Sequence, residues 1–152
     1  MHIKEKLVEL GISLPNISVP AAAYLPYVQT GNLIFLSGHL AKKNGAPWVG
    51  QLGKEMSTEE GKLAARAVAI DLLGTLNSAL DGDLTRVRRI VKLMSLVNST
   101  DNFTEQHLVT NGASDLLGEI FGSTGAHARS AFGVAQIPLG ACLEIELIVE
   151  VE

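Results

Sequence analysis

Hydrophobic residues in the middle of the chain follow a helical spacing. From Val68 to Leu80 an aliphatic side chain recurs at every fourth position, so that one face of a helix would be apolar. Ser57 and Glu60 precede this run with the spacing of a capping box, in which each side chain accepts a hydrogen bond from a free backbone N–H. The pattern therefore predicts a long helix that starts after Ser57 and ends near Asp81-Gly82.

Two other segments also have helical patterns. Residues 2–10 place apolar side chains on one face, and Gly11 follows as a stop signal. Four hydrophobic residues between Leu116 and Phe121 mark another helix, which Gly122 closes. Between the first helix and the next apolar run, the proline-containing stretch 14–26 is predicted to be an extended loop.

Strand patterns occupy most of the remaining chain. Residues 143–151 alternate aliphatic side chains with glutamates, which is typical of a strand with one buried face. The continuous apolar run 33–36 predicts a central strand that is buried on both faces. Residues 87–97 are rich in Val, Leu and Ile, and residues 129–137 carry small side chains on one face. Both segments are predicted to be strands.

The order of these elements indicates the fold class. Asn44-Gly45 is a hairpin signal, and a return strand is expected to start near Pro47. After the leading helix the order is β-β-α-β-α-β-β, with two helices and a mostly non-parallel sheet, which is an α+β domain. Since no repeat or linker is visible, residues 1–152 are expected to form one domain, with residues 1–18 as an N-terminal helical extension.

Composition narrows the classes of function. With 47% hydrophobic and 18% charged residues, the chain is not expected to be disordered. A formal charge of −4 makes nucleic acid an unlikely partner. The single Cys142 excludes an internal disulfide, the N-terminus has no apolar signal region, and no apolar run reaches membrane-spanning length. We therefore expect a cytoplasmic protein without membrane contact.

Few residues carry an obvious chemical signature. His39, His107 and His127 are far apart in sequence and lack metal-ligand spacing, and the chain has no glycine-rich phosphate loop. We therefore expect neither a metal nor an organic cofactor. The basic residues between Arg86 and Lys92 are interpreted as a solvated strand edge.

Arg129 is the strongest candidate for binding a ligand. It opens a strand of small and apolar residues, where its guanidinium must stay hydrated or find a partner. The planar guanidinium matches the geometry of a carboxylate. Two interpretations remain open at this point, a carboxylate ligand or an ion pair with a glutamate of the last strand.

Three segments, taken in order, resemble the Rid family of reactive enamine/imine deaminases, also called YjgF-like or L-PSP endoribonuclease-like. They are Gly31-Asn-Leu-Ile-Phe-Leu-Ser-Gly38, Ala128-Arg-Ser130, and Ile137-Pro138 leading into Leu143-Glu-Ile-Glu146. The resemblance covers about residues 20–152. It implies a chorismate-mutase-like α+β fold, with an antiparallel or mixed sheet packed against two helices. It also implies a homotrimer with clefts between subunits, in which the small-residue strand faces pack subunit against subunit.

The resemblance assigns roles to individual residues. The family's carboxylate-binding arginine falls on Arg129, and the glutamate that handles water or a proton falls on Glu144. The Ser-Gly pair after the buried strand falls on Ser37 and Gly38, which are expected to line the cleft and bind substrate.

Two further substrate-binding positions depend on the alignment. A site tyrosine is expected before Gly31, and an ungapped count selects Tyr24 whereas a gapped one selects Tyr27; we adopt Tyr24. Where many members have an asparagine on the second helix, an ungapped count gives His107, although Asn111 is near.

The chain departs from the family pattern at two places beside the arginine. Ala131 stands where many members have cysteine, and His127 stands where they have proline, which indicates a divergent branch. The resemblance implies hydrolytic deamination of small 2-imino or enamine acids to 2-keto acids and ammonia. The alternatives are a non-catalytic trimer that binds small carboxylate metabolites and, third, an endoribonuclease.

Overall fold

The computed structural model describes residues 3–16 and 23–152, and it contains three α-helices and seven strands over those residues. The helices are α1 (Ile3–Glu9), α2 (Thr58–Ala79) and α3 (Gln106–Phe121). The strands are β1 (Tyr27–Thr30), β2 (Leu33–Leu40), β3 (Lys42–Lys43), β4 (Ala46–Pro47), β5 (Val87–Asn98), β6 (Ala128–Val134) and β7 (Leu143–Val151).

A five-stranded sheet forms one layer of the fold. Its strand order is β1-β2-β7-β5-β6, and β3 and β4 form a separate hairpin. Neighbouring strands of the sheet are antiparallel except β5 and β6, which are parallel. The mixed α+β architecture predicted from the sequence is therefore confirmed.

The α-helices cover one face of this sheet. The alternating aliphatic residues of β7, from Leu143 to Val151, are buried on that face, as predicted, together with Ile34 and Leu36 of β2. The opposite face is open in the single chain, where Phe35 is 41% exposed and Phe132 is 45% exposed. The prediction that residues 33–36 are buried on both faces is thus wrong for the single chain.

The first two strands of the sheet differ in extent from the prediction. Residues 27–30 form β1, just after the predicted extended loop, where the sequence pattern predicts no strand; residues 17–22 of that loop lie outside the described residues. The 33–36 strand extends to Leu40 and lies between β1 and β7, so it is an interior strand of the sheet, as predicted. The four residues of β1 show no hydrophobic strand pattern, because an edge strand can be short and exposed.

The small-residue face of β6 is turned toward α3. In the parallel register Ala131 lies beside Ser95, whose hydroxyl accepts a hydrogen bond from Thr110 of α3. Gly133 lies against Ser99, because a Cβ atom added to the glycine would be 2.5 Å from Ser99 Oγ. Ala131 is half-buried and Gly133 is exposed, so the packing of this face against another subunit stays a prediction, while Phe132 lies on the opposite face of β6.

Local signals at the helix ends and the hairpin are confirmed. Ser57 and Glu60 form a complete capping box at the start of α2. Asn44 and Gly45 both have positive φ, of 54° and 78°, which suits the tight turn between β3 and β4. Gly122 closes α3 with a φ of 62°. These features depend on a few neighbouring residues, which is why the sequence alone predicts them.

The N-terminal segment packs against the rest of the chain. Ile3 and Leu7 of α1 are buried in the hydrophobic core. Gly74 of α2 leaves room for Pro15, since a Cβ atom there would lie 2.6 Å from the Pro15 carbonyl oxygen. None of the helices described over residues 3–16 and 23–152 is long and apolar enough to span a membrane.

The basic residues after α2 lie just before and in the first part of β5, which pairs there with β7 alone because pairing with β6 begins at Lys92. Arg88 forms an ion pair with Glu152 at 3.5 Å, and Arg86 donates a hydrogen bond to the Glu152 carbonyl oxygen. The register places Arg89 opposite Glu150 on β7. The solvated-edge interpretation agrees with this placement, because Arg88 and Arg89 are exposed and, among the described residues, β5 has a neighbouring strand on one side only before Lys92.

Candidate functional site

Arg129 projects from β6 toward α3, where three hydrogen bonds hold its guanidinium. Nη1 donates to Asn111 Oδ1 at 2.8 Å and to Ser114 Oγ at 3.1 Å, and Nη2 donates to the His107 carbonyl oxygen at 3.1 Å. His107, Asn111 and Ser114 are spaced four and three residues apart, so that they share one face of α3. The edge strand and the helix together fix the position of the cation.

All three acceptors are neutral, so the guanidinium charge is not compensated by them. The ion pairs found among the described residues join Lys6 to Glu9, Lys62 to Glu59 and Arg88 to Glu152, and none includes Arg129. The suggested ion pair of Arg129 with a last-strand glutamate is therefore absent from the described part of the chain. A guanidinium has five N–H donors, which leaves Nε–H and one N–H of Nη2 to bind an anion.

Of the two positions that the sequence offered on this helix, His107 and Asn111, it is Asn111 whose side chain contacts Arg129. His107 contributes its backbone carbonyl oxygen, whereas its own side chain is exposed. Sequence counting had selected His107 and noted Asn111 only as near. Helical periodicity was the missing signal, because β6 crosses the face of α3 that carries positions 107, 111 and 114.

Glu144, the second residue to which the family resemblance assigns a catalytic role, lies near the start of β7. It is half-buried, and a Cβ atom at Gly38 would come within 3.1 Å of its carboxyl group, so the glycine makes room for this side chain. Burial, and to a smaller extent the negative charge of Glu146, raise the pKa of the Glu144 carboxyl. A carboxyl group in this state can accept and return a proton near neutral pH more readily than a fully solvated one.

Ser37 lies in the second half of β2, and the two tyrosines lie at the start of β1 and just before it, in the segment that pairs with β2. Ser37 Oγ donates to the Leu25 carbonyl oxygen at 2.5 Å, so its hydroxyl ties β2 to the segment that leads into β1. Tyr24 is 59% exposed, and Tyr27 is partly buried against the core. Of the two tyrosines, Tyr24 is the more accessible to a ligand.

The sheet separates Arg129 from Glu144 within one chain. In the β5–β6 register Arg129 lies beside Leu93, whose side chain is buried on the helix-covered face. Glu144 pairs with Leu96, which lies beside Phe132 on the open face. One chain therefore presents two half-sites: an arginine half-site (Arg129 with Asn111, Ser114 and His107) and a glutamate half-site (Glu144 with Gly38, Ser37 and Tyr24).

Over residues 3–16 and 23–152, the structure brings no three His, Cys, Asp or Glu side chains together as a possible metal site. His39 is hydrogen-bonded to Thr75 on the helix-covered face, with Nε2 and Oγ1 3.2 Å apart. Burial, and then the charge of Lys42, lower the pKa of this imidazole. Cys142 is buried, and burial raises the pKa of its thiol to about 11.

Comparison with known proteins agrees with this fold. Residues 4–151 match the family described as "YjgF/chorismate_mutase-like, putative endoribonuclease". Protein TCP17 of Trypanosoma cruzi is 46% identical over 151 residues, which are 98% of this chain and 94% of that protein. A 2-iminobutanoate/2-iminopropanoate deaminase of Dermatophagoides farinae is 28% identical over 142 residues, which are 93% of this chain and 95% of the deaminase.

A solved structure shows the same architecture. The crystal structure of Atu1372, a protein of unknown function from Agrobacterium tumefaciens, superposes with a TM-score of 0.91 at 40% identity, covering 99% of this chain and 94% of Atu1372. The sheet order, the helix positions and the family match over residues 4–151 all agree with the motifs seen in the sequence. The chain belongs to the YjgF/chorismate mutase-like family, the Rid family that its sequence resembles.

Proposed function

We propose that this protein hydrolyses small reactive 2-imino acids, or their enamine tautomers, to 2-keto acids and ammonia. The observation that carries the proposal is the Arg129 guanidinium, which three neutral acceptors hold and which keeps two donors available for an anion. Similarity to the mite 2-iminobutanoate/2-iminopropanoate deaminase supports this substrate class.

Arg129 and Glu144 divide the chemistry between them. Arg129 binds the substrate carboxylate through charge-assisted hydrogen bonds and so fixes the position of the imine carbon. Glu144 takes a proton from a water molecule while the water oxygen bonds to that carbon. The same carboxyl returns this proton to the nitrogen, which gives a carbinolamine. The carboxyl then passes the proton of the carbinolamine hydroxyl to the nitrogen as the C–N bond breaks, so that a C=O bond forms and ammonia leaves. Tyr24 and Ser37 line the cleft. Since imines already hydrolyse in water, positioning and modest acid–base help are sufficient without a metal or organic cofactor.

The proposed active site lies between two copies of the chain. Arg129 and Glu144 lie on opposite faces of the sheet in one chain, so one copy cannot place both against a small substrate. The open sheet face, with Phe35 and Phe132 exposed, is a surface that a second copy can cover. We propose a homotrimer in which the arginine half-site of one subunit meets the glutamate half-site of the next.

A second candidate is a non-catalytic protein that binds small carboxylates. The observation that favours it is Ala131, which offers no hydrogen-bonding or acid–base group two residues after the arginine. This candidate expects saturable binding of 2-keto acids without turnover. An endoribonuclease is less favoured, because the formal charge of −4 gives little attraction for a phosphate backbone.

Substitution of Arg129 tests the proposed function. Arg129→Ala is expected to lower kcat/KM for an enzymatically generated 2-imino acid about 30- to 1000-fold, since two charge-assisted hydrogen bonds are lost. Arg129→Lys is expected to recover only part of this loss, because an ammonium keeps the charge without the planar fork. Release of 2-keto acid is the measurement, with circular dichroism and light scattering on the same samples. A folded, oligomeric Arg129→Ala protein that binds 2-keto acids as tightly as wild type would contradict the proposal.

A further inference from the structure

The hydrogen bonds around Arg129 continue into a relay that ends on His127. Ser114 Oγ, which accepts from Arg129 Nη1 at 3.1 Å, lies 2.9 Å from His127 Nε2. His127 Nδ1 in turn lies 2.6 Å from the Gly125 carbonyl oxygen. His127 and Arg129 are two residues apart in an extended segment, so that both side chains point toward α3.

The chemistry of these groups fixes the direction of each hydrogen bond. The Gly125 carbonyl can only accept, so His127 Nδ1 carries the proton and Nε2 of the neutral imidazole is an acceptor. The guanidinium of Arg129 can only donate, so the Ser114 hydroxyl is left to donate to His127 Nε2. The neutral relay therefore runs from Arg129 to Ser114 and from Ser114 to His127.

Protonation of His127 changes the last step of this relay. With a proton on both ring nitrogens, Nε2 donates to Ser114 Oγ, and this one oxygen then accepts from two cations. The second positive charge lies one hydroxyl away from the guanidinium, where like charges repel and an added anion is attracted to both.

We propose that Ser114 and His127 are positioning residues for Arg129, and that protonation of His127 increases the affinity of Arg129 for a carboxylate. The proposal rests on the proposed function in its choice of ligand, but the direction of the relay does not depend on that function. Ser114 and His127 act through the guanidinium and do not touch the substrate.

Other charged groups lie around the relay. On α3, Asp115 follows Ser114 and is exposed, and the exposed side chain of His107 lies on the face that meets β6. On β5, Lys92 pairs with Ala128, whose side chain points away from α3. Glu144, in the partner half-site, also titrates and repels a carboxylate when it is ionised. The contribution of His127 is therefore the part of the pH dependence that a change at His127 removes.

Nuclear magnetic resonance of ¹⁵N-histidine-labelled protein tests the relay without any substrate. We expect neutral His127 to carry its proton on Nδ1, and Ser114→Ala to weaken this preference. Ser123→Ala, at an exposed position in the turn after α3, is the matched control and is expected to leave the tautomer unchanged. A His127 with its proton on Nε2 in the wild-type protein would overturn the relay.

Calorimetric binding of 2-ketobutanoate tests the effect on affinity. For the wild type we expect His127 to contribute about a 3- to 10-fold increase in affinity between pH 8 and about pH 5.5. His127→Gln keeps an acceptor for Ser114 but cannot gain a charge, so it is expected to bind within about 3-fold of wild type at pH 8 and to lose that increase. Ser114→Ala is expected to bind about 3- to 10-fold more weakly at both pH values.

The two measurements separate failure of the inference from failure of the proposed function. Equal pH dependence in wild type and His127→Gln overturns the role of His127 in affinity, even if deamination is confirmed. A wild-type protein that does not bind 2-ketobutanoate at either pH overturns the proposed function and the affinity effect together, while the tautomer of His127 still decides the relay.

Discussion

Arg129 and Glu144 differ in how the surrounding chain treats their charges. The guanidinium of Arg129 donates hydrogen bonds to Asn111, Ser114 and a backbone carbonyl oxygen, which solvate it in place of water. Glu144 is half-buried beside Gly38, and burial raises the pKa of its carboxyl. The fold thus stabilises the cation of Arg129 and disfavours the anion of Glu144. This is the arrangement expected if Arg129 binds a carboxylate and Glu144 transfers a proton.

The raised pKa of Glu144 predicts a pH-dependent effect on stability. Because the folded state disfavours ionisation, the contribution of this carboxyl to stability is fully present below its unfolded pKa, about 4.3, and is lost as the pH rises through the folded pKa. Glu144→Gln should therefore melt at a higher temperature than wild type at pH 7, and the difference should shrink at pH 4. Differential scanning calorimetry measures both, with the exposed Glu119→Gln as the control. A difference that grows toward pH 4 would contradict this reading.

At the scale of elements, the contact of α3 with α2 and β6 positions the arginine half-site. Gly112 lies in α3 directly against α2, because a Cβ atom there would be 2.0 Å from the Lys62 carbonyl oxygen. Gly112 follows Asn111 in α3. The close approach of α3 to α2 at Gly112 therefore also sets the position of the Asn111 side-chain amide, which accepts a hydrogen bond from Arg129. Helix packing and the site are therefore coupled through one turn of α3.

Two glycines of α3 predict opposite effects of the same substitution. Gly112→Ala should destabilise the fold by about 1–3 kcal/mol, because the new methyl group meets the backbone of α2. Gly118→Ala should stabilise it by about 0.5–1 kcal/mol, because nothing lies within 4 Å of the added Cβ atom and alanine favours the helix. Urea denaturation of both variants provides the comparison. Equal effects at the two positions would contradict the packing described for α2 and α3.

At the scale of the whole molecule, the sheet keeps the two half-sites apart. Arg129 points to the helix-covered face from the β6 edge, while Glu144 points to the open face. The apolar side chains exposed on that open face form a surface that a second copy can cover. The proposed shared site between copies brings the half-sites together and covers this surface, and light scattering should show a trimer at micromolar concentration.

Mixing two inactive variants tests the shared site. Arg129→Ala and Glu144→Gln should each be nearly inactive alone, but unfolding and refolding them together should restore activity. In randomly mixed trimers about a quarter of the clefts receive an intact arginine from one subunit and an intact glutamate from its neighbour. The expected recovery is therefore about a quarter of wild-type 2-keto acid release, and each variant refolded alone is the control. Mixtures that stay inactive although they form mixed trimers would place both residues in one subunit's site.

Much of the fold could be predicted from the sequence because its signals are local. The capping box at Ser57 and Glu60, the Asn44-Gly45 turn and the alternation along β7 each depend on residues within a few positions of one another. The edge strand β1 could not be predicted, since a short edge strand needs no full hydrophobic pattern.

For the candidate site, too, the sequence predicts what depends on local signals, and the tertiary structure decides the rest. The sequence by itself determined that Arg129 begins a strand where a guanidinium needs partners, and motif order singled out Glu144. Only the tertiary structure decided which partners these are: Asn111 and Ser114 in place of the His107 side chain, and His127 beyond them. It also decided that Ala131 and Gly133 of β6 lie on the side of α3 and that the two half-sites face apart. These facts follow from how β6 crosses α3 and from the register of three strands, which join residues far apart in the chain and are set by packing rather than by local backbone preference.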